Sequence, residues 1–343
     1  MGRDEKTSKH ATIAMVAEKA GVSTTTVSRY LNEKYEYMSL KTRKKIKHVI
    51  EELNYRPSNI ARGLKSKKTN LIGVVVADIE NPFSSMMMKG VNDVCKTRHY
   101  HMLILNTDNS QKSENDGIRS LIDHNVDALL INPTGYTSPI YTKLKESRLP
   151  IVLIDRQIEH FLFDSVTSNN YDVTYQATNY LIQNNYSRIY FVTENIDSIS
   201  TRSQRKKAVE DALRAKHLPQ EHILLTIDRA NTLAIKEQLI KLKRTNQNEK
   251  MALFAVNGQV LLLLLQLLYQ LRWSIPAEIG IYGYDDWGWG ELIRPGITVI
   301  QQDPYGMGTK AAELLIDRLE GKRTGRPELF ELPANLLIRG STE

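Results

Sequence analysis

The chain has one cysteine, Cys95, in 343 residues, so no disulfide can form within it and a reducing compartment is expected. It also lacks any apolar run fit to span a bilayer. The longest, around Val260 to Leu271, is interrupted by Gln266 and Gln270. Met1 to Lys9 is polar and no apolar stretch follows, so a secretory signal is not expected either. Signs of catalysis are equally scarce. There is no phosphate-binding GxxxxGK[ST] loop, no GxGxxG after a strand and no GxSxG. His99 and His101 have no further His or Cys at metal-ligand spacing. Asp285 and Asp286 are neighbours on a strand end and should point apart rather than share a proton. These absences predict a cytoplasmic protein that is neither a metal site nor an enzyme and needs no cofactor.

What is present is a soluble composition, 41% hydrophobic and 25% charged, in a chain long enough for two or three domains. The net charge of +7 is unevenly placed. Residues 1–68 hold 16 Lys and Arg against 7 Asp and Glu, and the remainder holds 30 against 32. The excess positive charge therefore sits in one small segment, as expected of a part that meets a polyanion.

That segment also carries the pattern of a folded unit. Ile13, Val16, Ala17 and Ala20 recur at helical spacing until Gly21 stops the helix. Ser23 is a natural N-cap for a second helix, Thr24 to Leu31, with Val27 and Leu31 facing inward. The short Gly-containing turn between them is the helix-turn-helix signature. Ser39 then caps a third helix, Leu40 to Leu53, with Ile46, Val49, Ile50 and Leu53 on its apolar face. Such a bundle puts the start of the second helix in a major groove. Thr24, Thr25 and Arg29 are placed to reach base edges there, Arg29 by a two-pronged contact to guanine. Ser28, Asn32 and the basic run Lys41, Arg43, Lys44, Lys45 are placed for phosphates. Beyond Tyr55, the stretch Asn59 to Ser66 (NIARGLKS) reads either as an ordinary linker or as a helix too short to persist alone in water, which would fold only against a partner or DNA.

The segments ATIAMVAEKAGVSTTTVSRYLN and ELNYRPSNIARGLKSKKTNLIGVVVADIENPF resemble the lactose-repressor (LacI/GalR) family, and the resemblance runs from about Ala11 to Thr342. It implies a hinge helix over Ala61 to Lys65, with Asn59 and Arg62 also at the DNA. Two such helices would pair in a homodimer on a palindromic operator, Leu64 wedging a base step open from the minor groove. One departure is Ala14-Met15 in the first helix, where the family usually has a polar residue and an aspartate.

From Asn70 the pattern changes. Leu71–Ala77, Met102–Leu105, Ala128–Ile131 and Ile151–Ile154 read as buried parallel strands with helices between them. After Asp164 the cycle restarts with Ile189–Val192, Ile223–Thr226, Ala252–Val256 and Ile279–Tyr282. Two such sheets make an α/β protein with two lobes and a ligand site at the carboxyl ends of the strands. The resemblance implies a clamshell like that of periplasmic binding proteins, with crossings expected near Ser168, Thr298 and Leu329. The expected division is a DNA-binding domain at 11–57, a hinge helix and linker at 58–69, a first lobe at 70–168 with 299–328, and a second at 169–298 with 329–343.

Asp78, Phe83, Asp155, Asn257, Asp285 and Gln302 sit at strand ends or the loops just after them, and Arg205 lies near the start of a helix. Each alone is as readily a helix cap or a surface group. Together they make a ring of carboxylate, amide, guanidinium and aromatic groups suited to a polyhydroxyl ligand. The resemblance matches Asp155, Arg205, Asn257, Asp285 and Gln302 to the family's effector pocket. Trp287 and Trp289 either stack on the ligand or pack beneath it. Arg202 beside Arg205 points to an acidic effector such as a sugar acid, and DDWGWGEL resembles family members that sense keto-deoxy sugar acids. The leucine-rich run from Leu261 is either deep core or dimer interface. Two other classes share parts of this pattern, a solute-binding protein for transport and a sugar-modifying enzyme. The first would not need residues 11–66, and the second lacks a catalytic constellation.

Overall fold

The computed structural model describes residues 11–55, 68–135, 138–196, 199–220 and 223–343. The chain divides into two compact units, Met1–Thr69 and Asn70–Glu343. Among its described residues the first holds three helices, α1 (Ile13–Ala20), α2 (Thr24–Leu31) and α3 (Leu40–Glu52). Hydroxyls cap all three, Thr12, Ser23 and Ser39 accepting from the backbone N–H groups of Met15, Thr26 and Thr42. Gly21 ends α1 in the left-handed region at φ 63°, which suits a residue without a Cβ. Val16, Ala17, Ala20, Val27, Ile46 and Val49 form the small core.

The second unit is built on two six-stranded sheets. The first contains β1 (Leu71–Val76), β2 (His101–Asn106), β3 (Ala128–Ile131), β4 (Ile151–Ile154), β5 (Asp164–Ser168) and β11 (Leu329–Leu332), in the order β11-β5-β4-β3-β1-β2, all parallel. The second contains β6 (Arg188–Thr193), β7 (Leu224–Thr226), β8 (Met251–Ala255), β9 (Gly280–Tyr284), β10 (Thr298–Gln301) and β12 (Asn335–Leu337), in the order β12-β10-β9-β8-β6-β7. Only its β12 edge is antiparallel. The two orders are the same topology used twice, so β4 of one sheet corresponds to β9 of the other. Most strands are buried along their length because helices cover both faces, and this explains their continuous apolar runs.

Between these strands, in chain order, lie α4 (Pro82–Thr97), α5 (Gln111–Asp123), α6 (Pro139–Glu146), α7 (Asn170–Gln183), α8 (Ser200–Ala215), α9 (Thr232–Thr245), α10 (Gly258–Gln270) and α11 (Pro304–Leu319). Helix α11 crosses back to the first lobe and packs on α4. They approach so closely that a Cβ on Gly308 would lie 2.0 Å from the Met87 carbonyl oxygen.

The chain passes between lobes after Ser168, between Gln301 and Pro304, and between Leu332 and Asn335. The expected boundaries at 298/299 and 328/329 therefore need correction. They mark the starts of β10 and β11, whereas the chain changes lobe at the strands' ends. Thr298, Val299 and Ile300 must first pair with β9, and Leu329 to Leu332 with β5.

Candidate functional site

In the first unit, Thr24, Thr25, Arg29 and Asn32 are exposed and Ser28 is half-buried. Asn32 is also the α2 C-cap, and its Nδ2 donates to the Ser28 carbonyl at 2.8 Å. Of the basic run, Lys41, Lys44 and Lys45 are exposed. The Arg43 guanidinium instead lies over the Tyr35 ring, 3.5 Å from its centroid, a cation–π contact within the bundle. Asn59, Ala61, Arg62, Leu64 and Lys65 lie outside the described residues.

In the second unit one cleft is lined by all eight residues expected there: Asp78, Phe83, Asp155, Arg205, Asn257, Asp285, Trp287 and Gln302. Six of them come from the carboxyl ends of strands in both sheets or the loops just after them, Phe83 from the first turn of α4 and Arg205 from the second turn of α8. Asp155 and Asp285 occupy equivalent places, following β4 and β9, and both adopt left-handed backbone, φ 65° and 51°. Their N–H groups bond the matching neighbour strands, Asp155 to Val166 O at 2.8 Å and Asp285 to Ile300 O at 3.0 Å. A non-glycine residue in this region costs roughly 1 kcal/mol or more, and the ladder on both sides enforces it. The strain turns each carboxylate off its strand and into the cleft.

The Asp285 side chain accepts from Gln302 N at 3.0 Å and from Gln302 Nε2 at 2.6 Å. Burial nonetheless pushes its carboxyl up to about 6, because water no longer solvates the charge. Gln302 Oε1 accepts in turn from Ser168 Oγ at 2.8 Å and Arg205 Nη2 at 3.1 Å. Arg205 is buried. Its Nε donates to Asn170 Oδ1 at 2.8 Å, its Nη1 to the Val256 carbonyl at 2.7 Å, and its guanidinium lies 3.3 Å from the Tyr284 ring centre. Among the described residues it pairs with no surface acid, and Glu210 is taken by Lys206. Asn257 caps α10 through Oδ1 and turns Nδ2 to Glu194. Asp155 accepts from Asn132 Nδ2 at 3.1 Å.

The two tryptophans separate. Trp287 lines the cleft and packs so tightly on Gly258 that a Cβ there would meet its ring at 2.7 Å. Trp289 packs against the second-lobe core. Asp286 faces away from Asp285 and accepts from Arg339 Nη1 at 2.7 Å. The leucines of α10 resolve as mostly core: Val260, Leu261, Leu264, Leu265, Leu267 and Leu268 are buried, while Leu262 and Tyr269 face out.

Sequence reasoning missed Arg156, Glu194 and Asn109, which also line the cleft. Glu194 follows β6, so the strand-end rule that selected the others would have found it. Arg156 is simply the residue after Asp155, and nothing in the sequence says that it turns inward. Burial draws the guanidiniums of Arg156 and Arg202 below their ordinary values, opposed for both by the charge of Glu194 and for Arg156 also by Asp155. Among the described residues no group of three or more His, Cys, Asp or Glu is placed to hold a metal ion, and no helix is long and apolar enough to cross a membrane.

Residues 12–58 match the model of bacterial regulatory proteins of the lacI family, and residues 178–342 match a periplasmic binding protein-like domain. The HTH-type transcriptional regulator KdgR of Bacillus subtilis is 39% identical over 337 residues, covering 98% of this chain and 99% of its own. The chain belongs to the LacI family. A second LacI-family relative, the regulator PtxS of Pseudomonas putida, is 33% identical and covers 98% of this chain and 97% of its own. The lac repressor dimer bound to operator and the anti-inducer ONPF superposes with a TM-score of 0.82 at 22% identity, over 97% of this chain and 99% of that one. An Enterococcus faecium LacI-family regulator with bound ribose superposes with a TM-score of 0.68 at 25% identity, over 79% and 98%. This LacI-family chain is accordingly a DNA-binding transcriptional regulator and not an enzyme. The solute-transport and sugar-modifying readings fall with that finding.

Proposed function

We propose that this regulator is a cytoplasmic homodimeric repressor whose affinity for a palindromic operator is set by a sugar or sugar acid held between its lobes. One observation carries the reading. A helix-turn-helix that exposes Thr24, Thr25 and Arg29 shares a chain with a cleft lined from both sheets by hydroxyl-binding groups. In this reading Thr24, Thr25 and Arg29 meet base edges, and Ser28 and Asn32 the backbone. Asn59, Ala61, Arg62, Leu64 and Lys65 form the minor-groove hinge. The eight cleft residues hold the effector, and residues 11–57, 58–69 and the two lobes divide the labour as the sequence indicates, with the crossings moved to the strand ends. Dimerisation is supported by exposed apolar side chains at matching edges of the two sheets, Leu103 and Ile104 on β2 and Leu224 on β7, with Leu262 and Tyr269 on α10. The test is a gel shift on palindromic DNA, repeated during a thermal-shift screen of sugars and sugar acids. Equal affinity for palindromic and random DNA, or effectors that raise the melting point without moving the gel shift, would count against the reading.

A further inference from the structure

We propose that Arg156 and Arg202, one from each lobe, form the receptor for an effector carboxylate, and that Glu194 competes with that carboxylate for the second-lobe half of it. The proposal rests on the reading that this cleft takes a sugar acid. Arg205 is the obvious cation for an acid, but its three guanidinium nitrogens already donate to Asn170, Val256 and Gln302, and its face is covered by Tyr284. Arg205 shapes the cleft floor.

Arg156 is held more loosely. Its Nη1 donates to Asn109 Oδ1 at 2.8 Å and reaches the Pro133 carbonyl at 3.4 Å, and Asp155 stands 3.8 Å from its Nε, beyond hydrogen-bond distance. Its Nη2 has no hydrogen-bond partner among the described residues. Arg202 is held by the Asn195 carbonyl and by Glu194, whose carboxylate also forms an ion pair with Arg229 Nε at 2.7 Å and accepts from Asn257 Nδ2 at 3.1 Å. A carboxylate gripped by guanidinium groups and a cleft amide is the pattern an acid ligand would make, here supplied by the protein itself.

The two arginines line the same cleft, beside a contact between the lobes. Gln157, next to Arg156, donates its N–H to Ser200 Oγ at 2.9 Å, and Ser200 lies two residues before Arg202. The neighbouring guanidinium charges oppose one another, Arg156 drawing Arg202 further down. A ligand carboxylate bridging the pair relieves that repulsion and ties the first lobe to the second. A doubly charged phosphate fits less well, because Asp78, Asp155 and Asp285 share the cleft.

The experiment is calorimetric titration of the full chain with D-gluconate, D-galacturonate and 2-keto-3-deoxy-D-gluconate, alongside D-glucose, D-galactose and glucose 6-phosphate. At least one acid is expected to bind, and Arg156→Gln and Arg202→Gln should each weaken it roughly ten- to a hundredfold. Arg156→Lys should keep part of the loss from appearing. Glu194→Gln should bind the acid more tightly than wild type, a gain that a merely structural ion pair would not produce. Unchanged acid affinity in both arginine variants overturns the receptor while the acid reading stands. If an arginine variant melts early, Glu194→Gln decides, and no gain in affinity overturns the proposal. A wild-type chain that binds none of the acids, or prefers a neutral sugar or glucose 6-phosphate, removes the acid reading and the receptor with it.

Discussion

The three-helix unit and the two-lobed unit place the polar groups proposed to act there in opposite ways. In the first, Thr24, Thr25 and Arg29 stand in solvent, and no side-chain hydrogen bond or ion pair holds them among the described residues. The fold there rests on six small or branched apolar residues and three hydroxyl caps. In the second, Arg205, Asp285 and Gln302 are buried and bond one another, so the groups that would meet a ligand also hold the structure. Function and stability are separable in one unit and fused in the other.

The largest effect tests how thin the first core is. Ile46 is fully buried, and Ile46→Ala should cost about 2–5 kcal/mol, most of what so small a bundle has. DNA binding should vanish while the sensor's melting transition stays in place, which calorimetry with a gel shift would show. Next comes Arg205→Ala, which strands acceptors on Asn170, Val256 and Gln302. It should lower sensor stability by about 3 kcal/mol as well as abolish the effector response, read by chemical denaturation. An unchanged denaturation midpoint would show that the cleft tolerates the loss and that function and folding are separable there too.

A third prediction follows from the raised carboxyl of Asp285. The folded state holds this proton up to about pH 6, above the ordinary aspartate value, so the folded chain binds more protons than the unfolded one in between. Its contribution is complete below about pH 4 and is lost as pH rises through about 6, by up to roughly 3 kcal/mol. Measured against Asp285→Asn, which does not titrate, wild-type sensor stability should fall from pH 4 to 7. A difference that stays flat across that range would place the Asp285 titration elsewhere. The smallest effect on folding belongs to Arg29→Ala. It should leave both melting transitions unmoved and weaken specific DNA binding by about 1–3 kcal/mol, with base preference relaxed at one position per half-site. Equal loss on random DNA would make Arg29 a phosphate contact.

The same contrast governs what the residues disclosed in advance. The helices of the first unit were legible almost to the residue, because Ser23, Ser39 and Gly21 punctuate them locally and the apolar spacing is regular. The cleft residues at strand ends were legible because a buried parallel strand announces where it stops. What could not be read was pairing at a distance. Nothing local shows that β10 stays with β9 before the chain crosses, or that Arg205 spends its donors on Asn170 and Gln302. The inward turn of Arg156 depends on Asp155 being forced into left-handed backbone by β5, some ten residues further on.

The interleaved chain path has a consequence for synthesis. Both sheets are closed at one edge by strands drawn from residues 329–337, so neither lobe can be completed until nearly the whole sensor has left the ribosome. Among the described residues, the core of the three-helix unit is complete by Tyr55. At about 5–20 residues per second it emerges on the order of tens of seconds before either lobe can close. Through that interval a nascent reader of DNA exists without its sensor, and the open edges of two unfinished sheets are the surfaces a chaperone would have to shield.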